Sequence, residues 1–369
     1  MVRLWTAALR LGVVATALIA MVLCCLATAA PAAQPRVVFV NPGKQDEPFW
    51  SMLAEVMQVA AGQLGFALDI DWARRDRMAM VDLGVAAARR RPDYLILVNE
   101  QRSAWAGMEE AARLGVKVLL LNNGFTGEDL ERFGGPREKL PNYVGALLPD
   151  NVQAGRALGL ALGRAAAAQG EAPPVELIAI NGLLATPAAA DRFAGLQLAL
   201  AEQPQLHLVG TIEGDWSRDG QAPALDGLLT RHDRLRLIWA ASDLMAVGAL
   251  DAIARIDPTH RRPWLVAGLN WSSEGLAAVR DGRMVASIGG HFLAGGFALV
   301  MLRDYHDGRD FADIGLTQHM PFAAIDRSNV DGYTARFGDG DWNRIDFRAL
   351  RRGPGAAPYR FDPAVLIRP

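Results

Sequence analysis

Cysteine is almost missing from this chain. The only two, Cys24 and Cys25, are adjacent and lie in an apolar N-terminal stretch. The remaining residues have no disulfide framework, so their stability must come from core packing. An excess of basic charge is missing too: 38 Lys and Arg stand against 40 Asp and Glu. That excludes the electrostatic footprint of a nucleic-acid binder and a polybasic membrane surface. The six histidines are scattered, without metal-ligand spacing. There is no Gly-x-Ser-x-Gly elbow, no His-Glu-x-x-His and no Walker A loop. The commonest hydrolase, metalloprotease and nucleotide-binding templates are therefore absent, and the chain reads as a binding protein, not an enzyme. A glycoside-hydrolase pair of carboxylates stays open, because two acids far apart in sequence can meet in space. No internal repeat is visible, which excludes a solenoid. Beyond residue 33 no apolar run approaches membrane-spanning length.

The start of the chain has the layout of an export signal. Arg3 and Arg10 give a positive beginning, Leu11–Leu26 is apolar, and small residues follow up to Ala33. A cleavable signal peptide over residues 1–33 is expected, cut between Ala29 and Gln34. An uncleaved anchor helix is the alternative. Leu23 precedes Cys24 where a lipidation site would need a small residue. Removing Arg3 and Arg10 leaves 36 basic against 40 acidic residues, a net charge of −4.

After that, strand and helix patterns alternate. Val37–Val40 is a β-branched apolar run that reads as a buried parallel strand. Asn41-Pro42-Gly43 ends it, and Pro48 opens a helix with apolar residues at 49, 53, 56, 57, 60 and 64. Strands are predicted at Phe66–Trp72, Tyr94–Val98, Val116–Leu121 and Tyr143–Leu147, with helices between. Gly124–Pro141 reads as an irregular insert. The alternation restarts after Gln169–Pro174, with strands at Val175–Ile180, His207–Ile212, Leu235–Ala240, Trp264–Leu269 and Met284–Ile288. One last strand is predicted at Pro321–Ile325, and the segment after Asp326 reads as mostly irregular. Such βα alternation predicts two doubly wound, parallel-sheet α/β lobes with a cleft between them.

In parallel sheets, ligands bind at the carboxyl ends of the strands. The residues there include Glu47, Phe49 and Trp50; Asn99, Glu100, Gln101 and Arg102; Asn122 and Asn123; Asp191 and Arg192; Asp215 and Trp216; Ser242 and Asp243; Asn270 and Trp271; and His291. Aromatic faces cover the C–H face of a sugar-like ring, while planar amides and guanidinium groups give paired hydrogen bonds to hydroxyls. Asp243 reads as a helix cap, and Asp150 or Asn151 as the cap of the helix that follows.

Several segments, in this order, resemble the type I periplasmic solute-binding proteins of the ribose- and galactose-receptor kind, whose fold is shared with lactose-repressor-like effector domains. They are Glu47-Pro48-Phe49-Trp50, VLLLNN at Val118–Asn123, Pro149–Gly155, ATPAAADRFAG at Ala185–Gly195, IWAASDLMAVGAL at Ile238–Leu250, Val266–Asn270 and Gly282–Ile288. The resemblance covers Arg36–Asp331. It implies a three-crossover hinge joining an N-terminal lobe (34–148 plus 289–319) to a C-terminal lobe (149–288 plus 320–345), with a tail at 346–369. It implies ligand contacts at Glu47, Phe49, Trp50, Asn122, Asn123, Arg192, Trp216, Ser242 and Asn270, with His291 filling in beside Gly290. It further implies a monomer in the periplasm, without cofactor or metal. Its partner would be the permease of an ABC transporter or, alternatively, a membrane sensor kinase or cyclase, as for an autoinducer-2 receptor. Sugar receptors usually carry Asp where this chain has Asn122 and Asn270, and often Asn in place of Ser242. These departures point away from plain ribose or glucose, toward a modified sugar, a cyclic polyol or a furanosyl signal. A cleft-facing Glu47 would partly offset the missing acids.

Overall fold

The computed structural model describes residues 34–259, 264–353 and 357–367. The export signal expected at residues 1–33, with both cysteines, lies outside them.

The first βα series runs β1 (Arg36–Asn41), α1 (Pro48–Leu64), β2 (Ala67–Trp72), α2 (Arg77–Arg89), β3 (Tyr94–Leu97), α3 (Trp105–Leu114), β4 (Lys117–Leu121), α4 (Gly127–Phe133) and β5 (Tyr143–Pro149). The second runs α5 (Asn151–Ala168), β6 (Val175–Asn181), α6 (Pro187–Glu202), β7 (Leu206–Glu213), α7 (Ala222–Arg231), β8 (Leu235–Ala240), α8 (Asp243–Ile256), β9 (Leu265–Leu269), α9 (Ser273–Arg280) and β10 (Ala286–Gly289). The chain then gives α10 (Ala294–His306), β11 (Thr317–Met320), β12 (Ala323–Asp326) and α11 (Val330–Phe337).

The strands form two six-stranded sheets, ordered β11-β5-β4-β3-β1-β2 and β12-β10-β9-β8-β6-β7. All pairs are parallel except β10 with β12. The central strands are buried on both faces; Leu95, Leu119, Ile178 and Ile238 have no exposed surface. This is why they read as unbroken apolar runs rather than as alternating ones. The chain crosses between the sheets three times, after β5, after β10 and between β11 and β12. After the second crossing α10 packs on α1, beside the first sheet.

Three sequence expectations need correction. The insert at 124–141 contains α4, whose last residue, Phe133, stacks on Phe125 at 4.9 Å. Two strands, not one, stand near Pro321. The polar edge strand Thr317–Met320 lacks the apolar pattern that marks a buried strand, and Pro321 separates it from β12. The segment after Asp326 is ordered by burial. Tyr333 packs on Trp271, and Trp342 packs on Phe292. Phe347 is fully buried and its N–H donates to Gln63 Oε1 of α1 at 2.8 Å. Tertiary contacts override the weak local pattern of this Gly- and charge-rich stretch.

Candidate functional site

The sheets present their strand ends to one cavity of about 680 Å³, its mouth included. All ten sequence-predicted residues line it: Glu47, Phe49, Trp50, Asn122, Asn123, Arg192, Trp216, Ser242, Asn270 and His291. It also takes in Arg75, Glu100, Asn151 and Ser272. A concave site of aromatic faces with a few convergent polar groups suits a small molecule.

The wall from the first sheet is organised by Arg75. Its Nε and Nη2 donate to the two carboxylate oxygens of Glu47, and Nη1 donates to Glu100 at 3.1 Å. Burial alone would pull the guanidinium down, but Glu47 and Glu100 outweigh it and hold Arg75 above its ordinary range. The other oxygen of Glu100 accepts from Asn123 Nδ2 at 2.8 Å. Burial raises the Glu100 carboxyl, against the fields of Arg75 and Arg192. Glu47 therefore lines the cavity with its oxygens already engaged, and Glu100 is the second acid there. The ring of Trp50 lies 5.9 Å from the Arg75 guanidinium, and Phe49 stacks on His291 at 4.4 Å.

The wall from the second sheet is organised by Arg192 on α6. Helices α5 and α6 pack closely because Gly155 and Gly195 face each other's backbones: a Cβ on Gly155 would stand 1.9 Å from the Arg192 carbonyl oxygen. That approach brings Arg192 Nε to Asn151 Oδ1 at 2.9 Å. Nη1 donates to the Ala241 carbonyl at 2.7 Å, and Nη2 lies 3.3 Å from His291 Nε2. Burial lowers Arg192 to about 10, so it stays charged at neutral pH. Burial, then the field of Arg192, holds His291 well below its usual range and neutral. Trp216 lies over Gly182, where a Cβ would come within 2.0 Å of the ring, and its indole stacks 5.5 Å from the Arg192 guanidinium.

Two of the cap readings resolve. Asp150 caps α5, accepting from Gln153 N–H. Asp243 is not the cap of α8; Ser242 is, while also lining the cavity. Asp243 sits behind the cavity wall and accepts from the backbone N–H of Ser272 at 2.8 Å and from Ser287 Oγ at 2.9 Å. Burial outweighs these bonds and pushes it up to about 6. This network holds the loop at Asn270 and Trp271, both at positive φ (128° and 59°). Asn122 and Trp216 are also at positive φ, 62° and 67°. Backbone strain of this kind concentrates at functional sites. Trp271 itself points into the core, its indole donating to the Ser287 carbonyl.

Six buried side-chain atoms of five lining residues have no protein hydrogen-bond partner: Trp50 Nε1, both amide atoms of Asn122, Trp216 Nε1, Asn270 Oδ1 and His291 Nδ1. Buried polar groups are rarely left so. Among the described residues no cluster of His, Cys, Asp or Glu could hold a metal, and no helix is long and apolar enough to cross a membrane.

Residues 37–309 match the family model described as the periplasmic binding protein domain. The chain belongs to the periplasmic binding protein family. Within it, the chain is similar to a periplasmic sugar-binding protein of Pseudomonas fluorescens. The two share 33% identity with a TM-score of 0.80, over 90% of this chain and 99% of that one. The ribose import binding protein of Haemophilus influenzae is 25% identical over 279 residues, 74% of this chain and 86% of the relative. A solute-binding protein of Actinobacillus succinogenes with bound D-allose shares the fold, with a TM-score of 0.71 at 19% identity, over 81% of this chain and all of that one. The two doubly wound sheets and three crossings are the type I architecture of this periplasmic binding protein family.

Four polar lining residues lie outside the sequence-derived site, besides Pro48, Pro149, Ala188 and Leu244. Glu100 stands in the strand-end set but is not carried over by the resemblance. Arg75 lies in the charged run Arg74-Arg75-Asp76-Arg77, which looks like a solvated surface. Asn151 stands in the sequence as a cap candidate within the Pro149–Gly155 segment, and Ser272 caps α9. The usable signal for Arg75 was its place directly after β2, at the same end of the sheet as the others.

Proposed function

We propose that this periplasmic binding protein captures a small hydroxylated, sugar-like ligand between its lobes and delivers it to the permease of an ABC transporter. One observation carries the reading: six unpartnered, buried polar atoms and several aromatic faces converge on one cavity. A polyhydroxylated ring supplies both what the donors and acceptors need and an apolar face for the aromatics. The sugar-binding and ribose-import relatives support the same ligand class.

In this proposal the first 33 residues export the chain to the periplasm. Residues 34–148 with 289–319 act as one lobe, residues 149–288 with 320–345 as the other, and 346–369 as a tail. The ten predicted residues bind the ligand directly, with Asn151 and His291 orienting Arg192 and Arg75 orienting Glu100. Ligand contacts made to both walls at once favour the closed arrangement, which the permease reads; the lobes hinge at the three crossings. No covalent step is needed.

The test is a thermal-shift and titration screen against neutral and acidic sugars and polyols. A ligand at about 100 times its Kd is expected to stabilise the protein by roughly 2.7 kcal/mol. Trp216→Ala is expected to weaken that ligand while leaving the unliganded melting curve nearly unchanged. Wild-type affinity in Trp216→Ala would refute the assignment of the cavity, and chemical turnover of the bound sugar would refute a purely capturing role.

A further inference from the structure

We propose that the ligand carries a single carboxylate and that Arg192 receives it; this rests on the capture reading above. Arg192 is 5% exposed and makes its three bonds to an amide oxygen, a backbone carbonyl and a neutral imidazole. Among the described residues no carboxylate forms an ion pair with it. A buried cation with no directly paired acid is expensive to hold, and a counter-charge arriving with the ligand would offset that cost.

The acids whose fields reach Arg192 most usefully are already engaged. Glu100 is held by Arg75 and Asn123, and Asp243 by Ser272 and Ser287. Asp191, the neighbour in sequence, also acts on it only through space.

The donors around Arg192 point the same way. Arg192 donates to His291 Nε2, so the hydrogen of that neutral ring sits on Nδ1, which makes Nδ1 a donor without a protein partner. The indole of Trp216, stacked on the guanidinium, leaves Nε1–H unpartnered as well. Three N–H-bearing groups thus gather around a buried cation that no protein carboxylate touches. One such charge matches one carboxylate rather than a phosphate dianion. On the opposite wall, Glu100 is positioned to accept from hydroxyls, since Arg75 and Asn123 fix its carboxylate and each oxygen keeps a further lone pair. The ligand class is therefore a sugar acid, hydroxyls toward Glu100 and carboxylate toward Arg192.

The experiment is isothermal titration of protein purified from cells expressing the full chain, against three matched pairs: D-galactose with D-galacturonate, D-glucose with D-glucuronate, and D-glucitol with D-gluconate. The expected result is that at least one acid binds at least about tenfold more tightly than its neutral partner. Arg192→Gln is expected to erase that ratio, and Arg192→Lys to keep part of it. If the variants do not fold, the wild-type ratio decides alone. Neutral sugars binding as tightly as their acids, or more tightly, would overturn the carboxylate and leave the capture reading standing. No binding by any of the six compounds would overturn the carboxylate assignment, while the wider sugar and polyol screen decides the capture reading on its own.

Discussion

Arg75 and Arg192 line the same cavity, yet their surroundings treat them in opposite ways. Arg75 is half-buried and holds two carboxylates, Glu47 and Glu100. Arg192 is fully buried and holds none, resting on Asn151, the Ala241 carbonyl and His291. A cation saturated by protein acids can only orient them. A cation supplied with neutral acceptors keeps its charge available. The first wall is thus a preset acceptor surface built around Glu100, and the second is a donor surface built around Arg192.

The contrast can be broken from its largest effect downward. Arg75→Met strands two acids, one of them buried, and is expected to destabilise the fold by about 3 kcal/mol in denaturant unfolding. Unchanged stability would show that Arg75 is no scaffold. Arg192→Gln is expected to act on binding instead, weakening the best ligand about 30-fold, roughly 2 kcal/mol, with unliganded stability unchanged or slightly raised. A variant that loses stability but binds normally would exchange the two roles.

Asp243 sharpens the contrast through pH. Its folded pKa of about 6 lies above the ordinary 3.8, so its contribution to stability is complete at low pH and declines as pH rises through about 6. The stability gap between wild type and Asp243→Asn is therefore expected to narrow, by about 1 to 2 kcal/mol, between about pH 5 and about pH 7.5. A gap that widens would reveal Asp243 as a hidden counter-ion of Arg192. The smallest effect belongs to the exposed pair of Arg156 with Glu202. Arg156→Ala is expected to leave both the melting temperature and binding essentially unchanged; a clear loss of stability would mean that pairing as such, not burial, sets the importance of these arginines.

Much of this geometry was legible in the sequence, and the reason is local. The ends of buried parallel strands are marked by apolar runs that stop abruptly, so the residues just beyond Val40, Leu121, Ile180, Ala240 and Leu269 fall at one end of each sheet on the sequence pattern alone. The strand ends alone gave a wider set, including Asn99, Arg102, Asp191 and Asp215, which do not line the cavity; the family resemblance narrowed it to the ten residues that do. What stayed hidden depends on contacts distant in sequence. The partner of Glu47 lies 28 residues away in a run that looks like surface charge. Arg192 depends on Asn151, 41 residues away across the Gly155–Gly195 helix contact. The fold of the last segment depends on Trp342 and Phe347 finding Phe292 and α1.

The most direct measurement is mass spectrometry of small molecules released on denaturing the protein purified from a bacterial periplasm. A hydroxylated acid, close to one per chain and absent from the Arg192→Gln variant, is the expected result. A neutral sugar retained equally by wild type and Arg192→Gln would contradict the account of the second wall.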